Sequence, residues 1–266
     1  MVIPIHDENP VRRVPIITYL LIALNFAVFF TEPVVSQIGV GSQTVAQVCD
    51  QQNYFDRHAA IPRELVKDKP LPPHRYVVQT NQGPVACPVV DEHGKSPFLS
   101  VLFSMFLHGG WLHILGNMLF LWVFGNNVED RMGRALYLLF YLFCGYVAAY
   151  GFAFGNAHSH ETLVGASGAI AGVLGAYLVL FPQARVTSLL PIGIIFLPLN
   201  LPAWVVLGGW FLLQWLYSSG TAVASGAGVA YLAHVFGFAA GALIALAARS
   251  ALLGWNSSGN SVTPVP

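Results

Sequence analysis

The sequence predicts an all-α polytopic membrane protein, a six-transmembrane-helix bundle with a long first outer loop. Three observations carry that reading. Of 266 residues, 55% are hydrophobic and only 9% charged, with a mean hydropathy of +0.62; soluble domains carry about 25% charged residues. Six apolar stretches recur along the chain, near the roughly 20 residues that a helical crossing requires. The basic residues are also distributed unevenly around those stretches. Lys plus Arg and Asp plus Glu both number 12, so no basic field exists to attract nucleic acid.

The elements follow in order. Residues 1–13 form a cytoplasmic N-terminal segment, and the first span covers 14–31. Arg12 and Arg13 precede it, but no small-x-small cleavage site follows Phe30, so it reads as a permanent span and not a cleaved leader. Residues 32–97 form the outer loop, which includes Asp50, Asp56, Arg57, Arg63, Glu64 and Lys67 and is interrupted by Pro70, Pro72 and Pro73. Composition leaves open whether it is a folded insertion or a membrane-surface loop. It also leaves open whether Cys49 and Cys87 are bridged, which an oxidising compartment would permit. Cys144, inside the third span, reads as a small apolar packing residue.

Residues 98–248 are the core, with spans at about 111–126, 135–155, 166–181, 201–217 and 229–248, followed by a cytoplasmic tail, 249–266. With the N-terminus in the cytoplasm, Arg12, Arg13, Arg131, Arg134, Arg185 and Arg249 all lie inside, and the short outer connections 156–165 and 218–228 carry no Lys or Arg. This predicts both termini inside, in a plasma (inner) membrane. No broken-helix pair recurs in matched halves, as a transporter of that kind would need.

Polar side chains inside spans are the informative exceptions, because each is costly in hydrocarbon unless it has a partner. The second span carries His113 and Asn117, four apart and therefore on one helical face. The fourth opens on Gly165-Ala166-Ser167-Gly168, and the sixth carries His234. In the predicted topology all three spans run from outside to inside. His113, Ser167 and His234 each fall near the outer start of their span, within about 8–10 Å of one interface at 1.5 Å per residue.

Small residues recur every fourth position at Ala233, Gly237, Gly241 and Ala245, answered by Gly168, Gly172 and Gly175. Such surfaces let two helices approach closely enough for Ser167 and His234 to hydrogen-bond. A serine hydroxyl becomes a nucleophile when a neighbouring base takes its proton. With no Asp or Glu at that depth, the predicted arrangement is a Ser167–His234 dyad and not a triad. Backbone N–H groups in the first turn after Ser167, together with His113 and Asn117, would stabilise an oxyanion. His108, His113 and His234 could in principle hold zinc, but there is no H-E-x-x-H and no carboxylate base, so neither metal nor cofactor is expected. His158 and His160 read as solvated.

The text His108-Gly109-Gly110-Trp111-Leu112-His113-Ile114-Leu115-Gly116-Asn117, then Val128-Glu129-Asp130-Arg131-Met132-Gly133, Gly165-Ala166-Ser167-Gly168 and Ala233-His234-Val235-Phe236-Gly237, resembles the rhomboid intramembrane serine proteases. The resemblance covers roughly residues 98–248. It implies a six-helix fold that cleaves transmembrane proteins in the lipid bilayer, with Ser167 as nucleophile and His234 as general base. It also implies His113 and Asn117 as oxyanion partners, and supporting roles for His108, Gly165, Gly168, Gly237 and Gly241. Two departures stand out. Some relatives place an aromatic ring four residues after the serine, where this chain has Ala171, and the Trp-Arg pair of some first outer loops is missing. The rival reading is a non-catalytic protein that binds membrane clients in the same cavity. Residues 218–226, small and uncharged, would suit a movable cap over the site.

Overall fold

The computed structural model describes residues 2–33, 44–73, 75, 77–80, 83–89, 94–193, 195–219 and 229–254. In chain order these form β1 (Ile3–Asp7), α1 (Ile16–Phe29), α2 (Val45–His58), α3 (Pro62–Lys67), β2 (Val77–Thr80) and β3 (Gly83–Ala86). There follow α4 (Pro97–Ser104), α5 (Trp111–Met132), α6 (Arg134–Gly155), α7 (Ser167–Leu180), β4 (Arg185–Ile192), β5 (Ile195–Pro202), α8 (Ala203–Ser218), α9 (Tyr231–Ala247) and α10 (Arg249–Gly254). The fold is mostly helical, but not helical throughout. Among the described residues, α6 is the helix long and apolar enough to cross a membrane by length and composition, while α1, α7 and α9 are apolar and shorter. Most of the proposed cap, residues 220–226, lies outside the described residues, as does the tail from 255 onward.

The chain divides into two compact units. The first comprises Met1–Ile22, Asn117–Ala148 and Ser167–Pro266. It contains a three-stranded antiparallel sheet in the order β1-β4-β5, with Asp7 opposite Val186 and Thr187 opposite Asn200. An expectation of helices alone is corrected here. Residues 186–202 form an almost continuous apolar run without a charge, so the alternation that marks a half-buried strand is hidden. β1 also supplies a buried carboxylate: Asp7 Oδ2 accepts 2.7 Å bonds from Asn127 Nδ2 and from the Tyr177 hydroxyl. Desolvation raises the Asp7 carboxyl above its ordinary value, with the Tyr177 bond acting against it.

Helix termini in this unit are satisfied by side chains distant in sequence. Glu129, near the end of α5, accepts from the backbone N–H of Ile17 at 3.0 Å and of Thr18 at 2.8 Å, and from the Thr18 hydroxyl at 2.8 Å. Those are orphan donors of the first turn of α1, and a carboxylate there also complements the helix dipole.

The second unit comprises Ala23–Gly116 and Ala149–Ala166. Its described residues after α1 include α2, α3 and the β2–β3 hairpin. Thr44 and Gln47 form a capping box at the start of α2, and β2 and β3 make an antiparallel hairpin. Phe55, Ala59 and Leu107 form a buried cluster against Val28, Tyr54 and Val164. Cys49 and Cys87 are joined by a disulfide with Cα atoms 5.4 Å apart. Buried Glu64 pairs with Lys95 Nζ at 2.8 Å and accepts from the Leu71 backbone N–H at 2.7 Å. His160 is not merely solvated, since its Nε2 accepts a 2.8 Å bond from Arg63.

Candidate active site

Ser167 is the first residue of α7, immediately after a turn in which Gly165 adopts φ +117°, a conformation that side chains disfavour. The turn places the hydroxyl at a helix N-terminus, where the first backbone N–H groups have no intrahelical acceptor. His234 lies in the first turn of α9, and the two helices meet along their glycines. A Cβ at Gly237 would overlap the carbonyl of Gly168, one at Gly241 the carbonyl of Gly172, and one at Gly175 the carbonyl of Phe238. Backbone therefore packs directly on backbone. At that separation His234 Nε2 lies 2.7 Å from Ser167 Oγ.

The opposite edge of the imidazole is occupied as well. Nδ1 of His234 lies 2.7 Å from Oε1 of Gln214, a buried residue of α8. The rings of Trp210 and Tyr231 stand 5.8 and 6.5 Å from the imidazole, centroid to centroid. Ala171 is fully buried and supplies no ring. Sequence reasoning missed Gln214, although the signal was present: it is a strongly polar residue inside the apolar stretch 201–217.

The remaining candidates fall in two places. Asn117 belongs to the unit that holds Ser167 and His234, on α5, and is half-buried. His113 and His108 belong to the other unit, where their rings meet edge to face at 5.1 Å. The Gly109 backbone N–H donates to His113 Nδ1 at 3.4 Å. His108 is fully buried, and desolvation, reinforced by the neighbouring His113, holds its imidazole down at about 3, so it is neutral. Its backbone N–H donates to both oxygens of Glu32, at 3.1 and 3.2 Å. Glu32 is a second residue that sequence reasoning passed over, because it sits just beyond the first apolar stretch. Among the described residues, no group of three or more His, Cys, Asp or Glu side chains is arranged to hold a metal ion.

The chain is 27% identical to RHOMBOID-like protein 5 of Arabidopsis thaliana over 169 residues, covering 64% of this chain and 52% of that protein. It is 31% identical over 106 residues to Presenilin-associated rhomboid-like protein A, mitochondrial, of Danio rerio, covering 39% of this chain and 26% of the relative. A similar match, 31% over 101 residues, is made to the human Presenilin-associated rhomboid-like protein, mitochondrial. The chain thus spans about half or less of the length of these relatives. The Rhomboid domain matches residues 95–251, more than half of the chain and the whole stretch from α4 to α9. On that match the chain belongs to the rhomboid family, whose members are helical, polytopic, integral membrane proteins.

Proposed function

We propose that this chain is an intramembrane serine endopeptidase that cleaves transmembrane-anchored proteins near the outer membrane face. The observation that carries the reading is the 2.7 Å approach of Ser167 Oγ to His234 Nε2, at the first turn of a helix. In the proposed reaction His234 Nε2 takes the Ser167 proton as Oγ attacks the scissile carbonyl. The oxyanion is held by backbone N–H groups of the first turn of α7, with side-chain donors from His113 and Asn117. The imidazolium then returns its proton to the departing amine. Water hydrolyses the acyl ester by the same proton route in reverse, which regenerates the serine. No metal, cofactor or nucleic acid is required.

The matching domain organisation has six spans with both termini inside, in a plasma or inner membrane, residues 32–97 outside and 98–248 as the catalytic core. Gly168, Gly237 and Gly241 support the site by bringing α7 to α9, Gly165 by turning the chain into Ser167, and His108 by backing His113.

The test is reaction with a fluorophosphonate and cleavage of a single-span substrate in proteoliposomes. Ser167→Ala and His234→Ala should each reduce both signals to near background, and the double variant should be no worse, because nucleophile and base share one step. Retention of turnover by Ser167→Ala would sink the reading. Absence of labelling in the wild type, together with retained binding of membrane clients, would favour the non-catalytic alternative.

A further inference from the structure

The contact between His234 and Gln214 has a chemical consequence that a two-residue dyad leaves unaddressed. A neutral imidazole carries one proton. To act as base toward Ser167, Nε2 must be the bare nitrogen, so the proton must sit on Nδ1. In serine hydrolases with a third member, a carboxylate holds that tautomer, and holding the wrong one is very costly to the rate. No carboxylate stands in that place among the contacts of His234 described above. Instead, Gln214 Oε1 lies 2.7 Å from Nδ1. A carbonyl oxygen only accepts, so Nδ1 must donate, and Nε2 is left free to accept from Ser167 Oγ on the far side of the ring.

We infer that Gln214 is the positioning residue of this site, fixing the tautomer and rotation of His234 through an amide oxygen where a triad would use a carboxylate. The inference rests on the proposed Ser167–His234 chemistry. Three further observations support it. Gln214 is buried, so water competes poorly for either its oxygen or Nδ1. A strongly polar side chain at the depth of an apolar helix is costly unless it has a partner. Finally, Ala171, fully buried one turn after Ser167, supplies no ring to hold His234, while Trp210 of α8 stands 5.8 Å from the imidazole. A neutral acceptor stabilises the imidazolium less than a carboxylate would.

Two variants and two readouts test this. The groups described around His234 are Ser167 from α7, Gln214 and Trp210 from α8, and Tyr231 from its own helix. Gln214→Met retains the shape but has no strong acceptor. Fluorophosphonate labelling should slow by roughly ten- to a hundred-fold, with the acid limb of its pH profile moving to lower pH because the imidazolium has lost its acceptor. Gln214→Glu restores an acceptor, and should recover most of the rate and move the same limb to higher pH.

The second readout does not depend on activity. In protein labelled with 15N-histidine, the resonances that disappear in His234→Asn identify this ring. They should show Nδ1–H in the wild type and a shift toward Nε2–H, or a tautomer mixture, in Gln214→Met. An unchanged tautomer in Gln214→Met, or a slowed rate with an unmoved acid limb in both variants, would reduce Gln214 to packing and overturn the inference. If the wild type does not label at all, the protease reading fails, while the 15N spectra still decide whether Gln214 sets the tautomer.

Discussion

Ser167, Gln214 and His234 come from three apolar stretches of the chain, and only two of them declare themselves by chemistry. Serine and histidine belong to nucleophilic catalysis, whereas glutamine inside an apolar helix carries no reactive group and is recognised by its partner. Glu32 makes the same point. Burial pushes its carboxyl from an ordinary value of 4.5 up to about 7, with the backbone N–H of His108 pulling the other way. The folded protein therefore holds that proton more tightly than the unfolded chain. The stabilisation is fully present below about 4.5 and is lost as the pH rises to about 7. In thermal melts in detergent, the wild type should lose stability relative to Glu32→Gln across that window and run parallel to it above. Curves parallel throughout would show that the Glu32 proton is not linked to folding.

At the scale of elements, the decisive contact is α7 against α9. The four-residue recurrence of small side chains marks both helices in the sequence, and the structure seats Gly241 on the Gly172 carbonyl. The neighbour is backbone, which cannot rotate away. Gly241→Leu should therefore cost at least the roughly 1–3 kcal/mol typical of overpacking and separate Ser167 from His234. Melting temperature and fluorophosphonate labelling should fall together. Leu243→Ala, on an exposed face of the same helix, should leave both near wild type. The sheet was less legible. β1 pairs with β4 across a large separation in sequence, with Ile3 opposite Leu189, and such a pairing leaves no local trace in either strand.

At the scale of the whole molecule, the described residues between α1 and α4 include α2, α3 and the β2–β3 hairpin, and Cys49–Cys87 closes a separation of 38 residues there. On the chain-entropy account, such a closure stabilises by roughly 4 kcal/mol. Unreduced, denatured protein should show one free thiol, that of Cys144, and three free thiols would exclude the bridge. Cys49→Ser with Cys87→Ser should increase protease sensitivity within residues 44–89 while changing fluorophosphonate labelling little, since neither cysteine contacts Ser167 or His234.

Composition, the spacing of the apolar stretches and the positions of the arginines sufficed to read a helical polytopic membrane protein, because lipid imposes the same requirement on every spanning segment whatever surrounds it. Ser167 and His234 likewise stood out as candidates, since a polar group in an apolar helix contrasts with its own neighbours. The pairing of β1 with β4, the Asp7 and Glu129 networks, the bridge between Cys49 and Cys87, and the approach of Gln214 to His234 were decided only by tertiary structure. Each depends on two residues far apart in sequence, and sequence pattern records what a residue is but not which distant residue meets it.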